Sequence, residues 1–140
     1  MARKPSAIVV DIDGTLALIT DRNPYSHLGV LKDKPNGPVI AVAQALAAAG
    51  HTLVIVSGRS GAARADTELW LRRHLGAPFE GPHMRADGDG RQDALIKREI
   101  YDREIKPRYD VLCVLDDRDQ TVHMWRKLGL TCLQVAPGAF

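Results

Sequence analysis

Three short runs carry the residues able to do chemistry: Asp11-Ile12-Asp13-Gly14-Thr15, Ser57-Gly58-Arg59 and Asp116-Asp117-Arg118. Each follows an apolar stretch. If the stretches are neighbouring strands, the carboxylates, the Ser57 hydroxyl and the guanidinium groups meet at one edge of a sheet. Carboxylates that close together do not all stay ionised without a cation. Oxygen donors with no His or Cys among them favour a hard ion, and Mg²⁺ is the commonest. Ser57 and the backbone amides of Gly58 and Arg59 make a strand-to-helix turn suited to an anion. A divalent cation beside an anion cradle suits phosphate chemistry. A carboxylate next to the metal then serves as nucleophile, giving an aspartyl-phosphate that water hydrolyses.

The elements needed to position these groups are visible in the apolar pattern. Ala7–Val10, Thr52–Val56, Val111–Leu115 and, more weakly, Cys132–Val135 are continuous runs of the kind found in strands buried on both faces. Between them, helical spacing marks Val39, Val42, Ala43 and Leu46, then Glu68–Leu75, Ala94–Ile105 and Thr121–Leu128. Gly50, Gly76, Pro107 and Gly129 supply the stops. Alternating strands and helices predict an α/β domain with a doubly wound parallel sheet. Ligands then bind beyond the carboxyl ends of the strands, where the three runs lie. Residues 20–38 and 76–93, rich in Gly, Pro and Asp, are predicted as long loops.

The 140 residues suit one domain, 1–140. Their 45% apolar and 26% charged content excludes a disordered tail, a collagenous repeat or a disulfide scaffold. With 19 basic and 17 acidic residues, the formal charge of +2 neither requires nor excludes a nucleic-acid partner. Cys113 and Cys132 sit in apolar runs and are expected to be buried, reduced thiols. No stretch is long enough to span a membrane, and the run after Arg3 and Lys4 meets Asp11 too soon for a signal peptide. The expected location is intracellular, in the cytoplasm.

Asp11-Ile12-Asp13-Gly14-Thr15 resembles the first motif of the haloacid dehalogenase superfamily. Ser57, Lys97 and Asp116-Asp117 match its second, third and fourth motifs in order. Asp21-Arg22-Asn23-Pro24-Tyr25, Val54–Arg59, Leu115–Arg118, Met124-Trp125-Arg126 and the ending Gln134–Phe140 further resemble the 3′-phosphatase domain of bacteriophage polynucleotide kinase/phosphatase. No kinase phosphate loop, Gly-x-x-x-x-Gly-Lys-Ser/Thr, occurs in the sequence. The resemblance implies Asp11 as nucleophile and metal ligand. It implies Asp13 as general acid and then base, with its backbone carbonyl on Mg²⁺. Ser57, with Gly58, would hold a phosphoryl oxygen, and Arg59 the substrate phosphate. Lys97 would offset charge on the transferring group, and Asp116 and Asp117 would complete the metal site. Thr15 would steady the loop.

Other residues carry two readings. Arg85 and Arg91 bracket a loop and Arg118 follows the acidic pair. They either contact a nucleic-acid backbone or pair with nearby aspartates. Tyr25 is the better aromatic candidate for touching substrate, whereas Trp70 and Trp125 fit helical core faces. His51, His74, His83 and His123 show no ligand spacing. Only about 20 residues separate the first motif from the next helix, so there is no room for a folded cap. An open site suits a bulky phosphoester such as a DNA or RNA 3′ end, although a capless protein can also close its site as a homo-oligomer. Two alternatives stay open: a phosphatase of small phosphorylated metabolites, and a non-catalytic receiver-type phospho-acceptor. Receivers lack the base that Asp13 supplies and place their lysine late.

Overall fold

The computed structural model describes residues 3–20, 22, 23, 26 and 28–140. Five parallel strands form the central sheet: β1 (Ser6–Val10), β4 (Thr52–Ser60), β5 (Glu80–Arg85), β6 (Asp110–Asp116) and β7 (Cys132–Gln134), in the order β5-β4-β1-β6-β7. A small antiparallel ribbon, β2 (Ala17–Leu18) with β3 (Lys34–Pro35), stands outside it. The α/β doubly wound architecture is as expected. α1 (Gly37–Ala48) and α2 (Arg64–His74) cover one face; α3 (Asp93–Ile100) and α4 (Asp119–Lys127) cover the other.

Alternation along β1 shows why a continuous apolar run is needed. Ile8 and Val10 pack with Ile40, Trp70 and Leu71 on one side, whereas Ala7 and Val9 pack with Ile96, Ile100, Val122 and Trp125 on the other. Every side chain of the strand interior is therefore in core. Both tryptophans are fully buried, as their helical spacing predicted, and both cysteines are buried free thiols.

Several expectations need correction: residues 20–38, expected as a loop, also hold β3 and the start of α1. β4 runs to Ser60 rather than stopping at Val56, and residues 76–93 contain the edge strand β5. Val56↔His83, Ser57↔Met84 and Ser60↔Arg85 are paired across these strands. The cause is tertiary: Gly81 and Pro82 spoil the strand signature, yet the segment pairs along β4, with Pro82 buried and Met84 buried in a cluster with Val30 and Ala63. The helix predicted over Ala94–Ile105 is α3 continued by a π-helical segment, Tyr101–Ile105. Among the described residues, no helix is long and apolar enough to cross a membrane.

Candidate active site

The strand order reverses around β1, so the carboxyl ends of β1, β4 and β6 open onto one crevice. Asp11 follows β1, Ser57 lies within the end of β4, and Asp116 closes β6. The side chains of Asp11, Asp116 and Asp117 bring one carboxylate oxygen each to within 4.8 Å of one another, and all three residues are buried.

Lys97 enters this cluster from α3. Its Nζ donates to Asp11 Oδ1 and to Asp116 Oδ2, each at 2.9 Å. Thr15 Oγ1 donates to Asp11 Oδ2 at 3.0 Å, so both oxygens of Asp11 have a donor. Asp116 is further fixed by Trp125 Nε1 at 3.1 Å and by the Asp117 backbone N–H at 2.8 Å. A helical lysine with charged sequence neighbours also fits a solvated face. The structure instead buries it, with a side chain 3% exposed.

Electrostatics bear on what the cluster can bind. Three carboxylates face one ammonium. Burial, then the charge of Asp116, push the Asp11 carboxyl well above its usual range, against the pull of Lys97. Asp117 is raised too, chiefly by burial. Burial opposes ionisation of Asp116 as well, but Lys97 and the hydrogen bonds outweigh it and hold that carboxyl below its usual range. Burial likewise works against charge on Lys97, and the two carboxylates overcome it, so its pKa is raised. Oxygen-only donors with surplus negative charge fit a hard divalent cation held by Asp11, Asp116 and Asp117.

Asp13 turns away from this cluster. Arg59 grips its carboxylate through Nε, at 3.1 and 3.0 Å to the two oxygens, and through an Nη at 2.6 Å. The same guanidinium reaches Asp33 at 2.8 Å and Thr67 at 3.1 Å. The structure thus directs Arg59 onto carboxylates of the protein itself. Ser57 is buried, and its Oγ accepts the Arg59 N–H at 3.1 Å; Ser57–Arg59 belong to β4, irregular in register here, so the strand-to-helix turn expected at these residues comes only after Ser60. Gly58 is dictated by its neighbour: a Cβ there would approach Asp93 Oδ1 to 2.5 Å.

Arg85 and Arg118 both converge on Asp93. Arg118 meets Oδ2 at 2.6 Å, Arg85 pairs with Oδ1, and Arg85 also caps the Gly58 carbonyl at 2.9 Å. Arg91 is ion-paired with Asp89 and Glu99. Of the two readings for these arginines, pairing with aspartates is the one the structure displays. Tyr25 lies outside the described residues. The sequence names Arg22 only within the resembling run Asp21–Tyr25, with no role, and does not single out Asp33 or Asp93. Arg22 approaches Asp13 at 3.6 Å, and Asp33 and Asp93 each tie two arginines at the rim. Their partners are distant in sequence, and the residues supplied no spacing signal.

A parallel sheet with Asp-x-Asp after β1, a hydroxyl at the end of β4, a buried lysine on α3 and an acid pair after β6 defines a haloacid dehalogenase-type phosphatase. The family model for the polynucleotide kinase PNKP phosphatase domain matches residues 5–140, and the chain belongs to that family. A protein of Autographa californica nuclear polyhedrosis virus, described as a bifunctional polynucleotide kinase/RNA ligase, is 32% identical over 128 residues. That match covers 90% of this chain and 18% of the viral protein. A chain of a Pnkp1/Rnl/Hen1 complex superposes with a TM-score of 0.93 at 38% identity, over 98% of this chain and 48% of that one. A second structure, of the Pnkp1/Rnl/Hen1 RNA repair complex, matches with the same TM-score and identity and is covered to 44%. The chain therefore spans under half the length of these relatives. A class C acid phosphatase from Bacillus anthracis, solved with tungstate, shares the fold at 16% identity and a TM-score of 0.63, over 99% of this chain and 68% of that one.

Proposed function

We propose that residues 1–140 form one phosphatase unit that removes the 3′-phosphate from nucleic-acid ends, with Mg²⁺ and through an Asp11 aspartyl-phosphate. The observation that carries this reading is the buried group of Asp11, Asp116, Asp117 and Lys97. Its three buried carboxylates beside a single ammonium support a nucleophile at Asp11 and surplus negative charge suited to a divalent cation. Family membership supplies the polynucleotide. The descriptions of the relatives, which name RNA ligase or RNA repair, support end healing before sealing, and the cytoplasm is the proposed location.

In this reading an Asp11 oxygen attacks phosphorus in line, and the bond from phosphorus to O3′ breaks. Asp13 gives its proton to O3′ as the alcohol leaves. Asp13 then takes a proton from water, which attacks the acyl phosphate at phosphorus and releases inorganic phosphate and free Asp11. Thr15 and Lys97 fix the plane of the Asp11 carboxylate. Lys97, Ser57 and the amides of Gly58 and Arg59 balance charge on the phosphoryl oxygens. Mg²⁺, held by Asp11, Asp116, Asp117 and the Asp13 carbonyl, would supply neutralisation of the phosphate and of the carboxylates. Arg85 and Arg118 are proposed to line the path of the nucleic-acid strand, and Tyr25 is kept as a proposed substrate contact.

The test compares phosphate release from a 3′-phosphorylated oligonucleotide and from the matching nucleoside 3′-monophosphate, with Mg²⁺ and with chelator. Metal-dependent preference for the oligonucleotide supports end processing. Equal or better turnover of the monophosphate moves the assignment to a small-molecule phosphatase.

A further inference from the structure

Phe140 is a large apolar side chain that stands 67% exposed, and none of the roles above uses it. Lone exposed apolar residues are ordinary. Phe140 differs in being held, and held beside the site. Its ring lies over the Arg118 guanidinium, 5.3 Å from Cζ to the ring centroid, and its carbonyl accepts from Arg118 Nε at 2.8 Å. The Phe140 N–H donates to the Gly138 carbonyl at 2.8 Å, and that carbonyl also accepts the Asp119 N–H at 2.8 Å. Gly138 rests directly on the acid pair, for a Cβ there would collide with the Asp117 carbonyl oxygen. Inward from the ring, an Nη of Arg118 donates to Asp93 Oδ2 at 2.6 Å, and Asp93 is what a side chain on Gly58 would strike. One guanidinium and one carboxylate therefore join Phe140 to the amides proposed to hold the phosphoryl oxygens.

We infer that Phe140 is a stacking platform for a base of the strand that ends in the 3′-phosphate, a role that rests on a nucleic-acid end being the substrate. One face of the ring is taken by Arg118, and the exposure leaves ring surface for a second planar group. Stacking on an aromatic ring requires no particular base, because every base has a π-face. Such a contact suits an enzyme that acts on ends of any sequence. A ring already fixed before the strand arrives also lowers the ordering cost of binding. The contact is made alike in the bound substrate and in the transition state, so it strengthens binding and leaves the chemical step unchanged.

Phe140→Ala should raise KM for a 3′-phosphorylated oligonucleotide roughly tenfold, with kcat close to that of the parent. Phe140→Tyr keeps the ring and should restore KM. Inhibition by inorganic phosphate, which has no base to stack, should be equal in parent and variants. An abasic residue is then moved through successive positions from the 3′ end of the oligonucleotide. At one of them the parent should lose about the same factor, and Phe140→Ala should lose nothing further. An unchanged KM, a fall in kcat, weakened phosphate inhibition or no rescue by Phe140→Tyr overturns the inference. So do abasic and alanine losses that multiply at every position. A changed sedimentation of Phe140→Ala also overturns it, giving the ring to a contact between copies of the chain. The parent's own preference for the oligonucleotide over the nucleoside 3′-monophosphate separates two failures. If the parent lacks that preference, the nucleic-acid reading fails and stacking fails with it. If the preference is present and Phe140→Ala has no effect, only the role of Phe140 fails.

Discussion

Lys97 Nζ and Asp11 Oδ1 lie 2.9 Å apart across 86 residues of sequence, joining α3 on one face of the sheet to the loop after β1. The bond turns a helix into part of the acidic site, and the second bond, to Asp116, ties in the end of β6. Because all three side chains are buried, the interaction is sensitive to loss of any partner.

Lys97→Met should therefore destabilise the fold by roughly 3–5 kcal/mol, since Asp11 and Asp116 lose their buried counter-charge. Chemical denaturation in chelator measures this, and added Mg²⁺ should restore part of the loss. A variant as stable as the parent in chelator would show that the pair carries little net energy.

Cation loading should release protons. Without a cation, Asp11 holds its proton more tightly folded than unfolded, and Asp117 is displaced the same way. Their contributions to stability are present below the unfolded carboxylate range and are lost as pH rises through the raised values. Asp116, displaced downward, contributes above that range and loses its contribution as pH falls. Ligation needs all three ionised, so Mg²⁺ affinity should rise with pH. Calorimetry in buffers of different ionisation heats should detect proton release, smaller in Asp11→Asn. Binding with no proton release contradicts the electrostatics of the cluster.

Gly14→Ala should harm the site more than Gly50→Ala. Both glycines adopt positive φ, +82° and +103°, and either substitution costs about 1–2 kcal/mol in backbone strain. A Cβ at Gly14 would also collide with the Asp117 carboxylate, whereas nothing lies within 4 Å at Gly50. Thermal unfolding should rank Gly14→Ala below Gly50→Ala, and only Gly14→Ala should weaken Mg²⁺ binding. Equal stability and equal Mg²⁺ affinity for the two variants would argue against the close approach.

The strands that carry the site were legible because β1, β4 and β6 are buried on both faces and write that burial into unbroken apolar runs. The acid pairs were legible because each sits directly at a strand end, and Ser57 because the apolar run of β4 stops just before it. β5 was not: as an edge strand holding Gly81 and Pro82, it owes its conformation to β4. Arg59 was legible as a candidate, but the carboxylates it meets were not. Its orientation depends on Asp13, Asp33 and Thr67, which no local spacing relates. Asp33 was hidden for the same reason, being polar, isolated and set in a run that looked like loop.

Trp125→Phe should show how far the core reaches into the site. The indole N–H donates to Asp116 Oδ2, and losing a hydrogen bond to a buried charged group costs about 1.5–3 kcal/mol. Lower stability with weaker Mg²⁺ binding is expected in a denaturation and titration series. Unchanged Mg²⁺ affinity would confine Trp125 to packing.

The most direct test is to trap the phosphorylated enzyme. A 3′-³²P-phosphorylated oligonucleotide is mixed with enzyme and Mg²⁺, quenched in acid within one turnover, digested and mapped. Label on the peptide carrying Asp11, absent from Asp11→Asn and chased by unlabelled substrate, is the expected result. Label on another residue, or robust turnover by a clean Asp11→Asn preparation, contradicts Asp11 as the nucleophile.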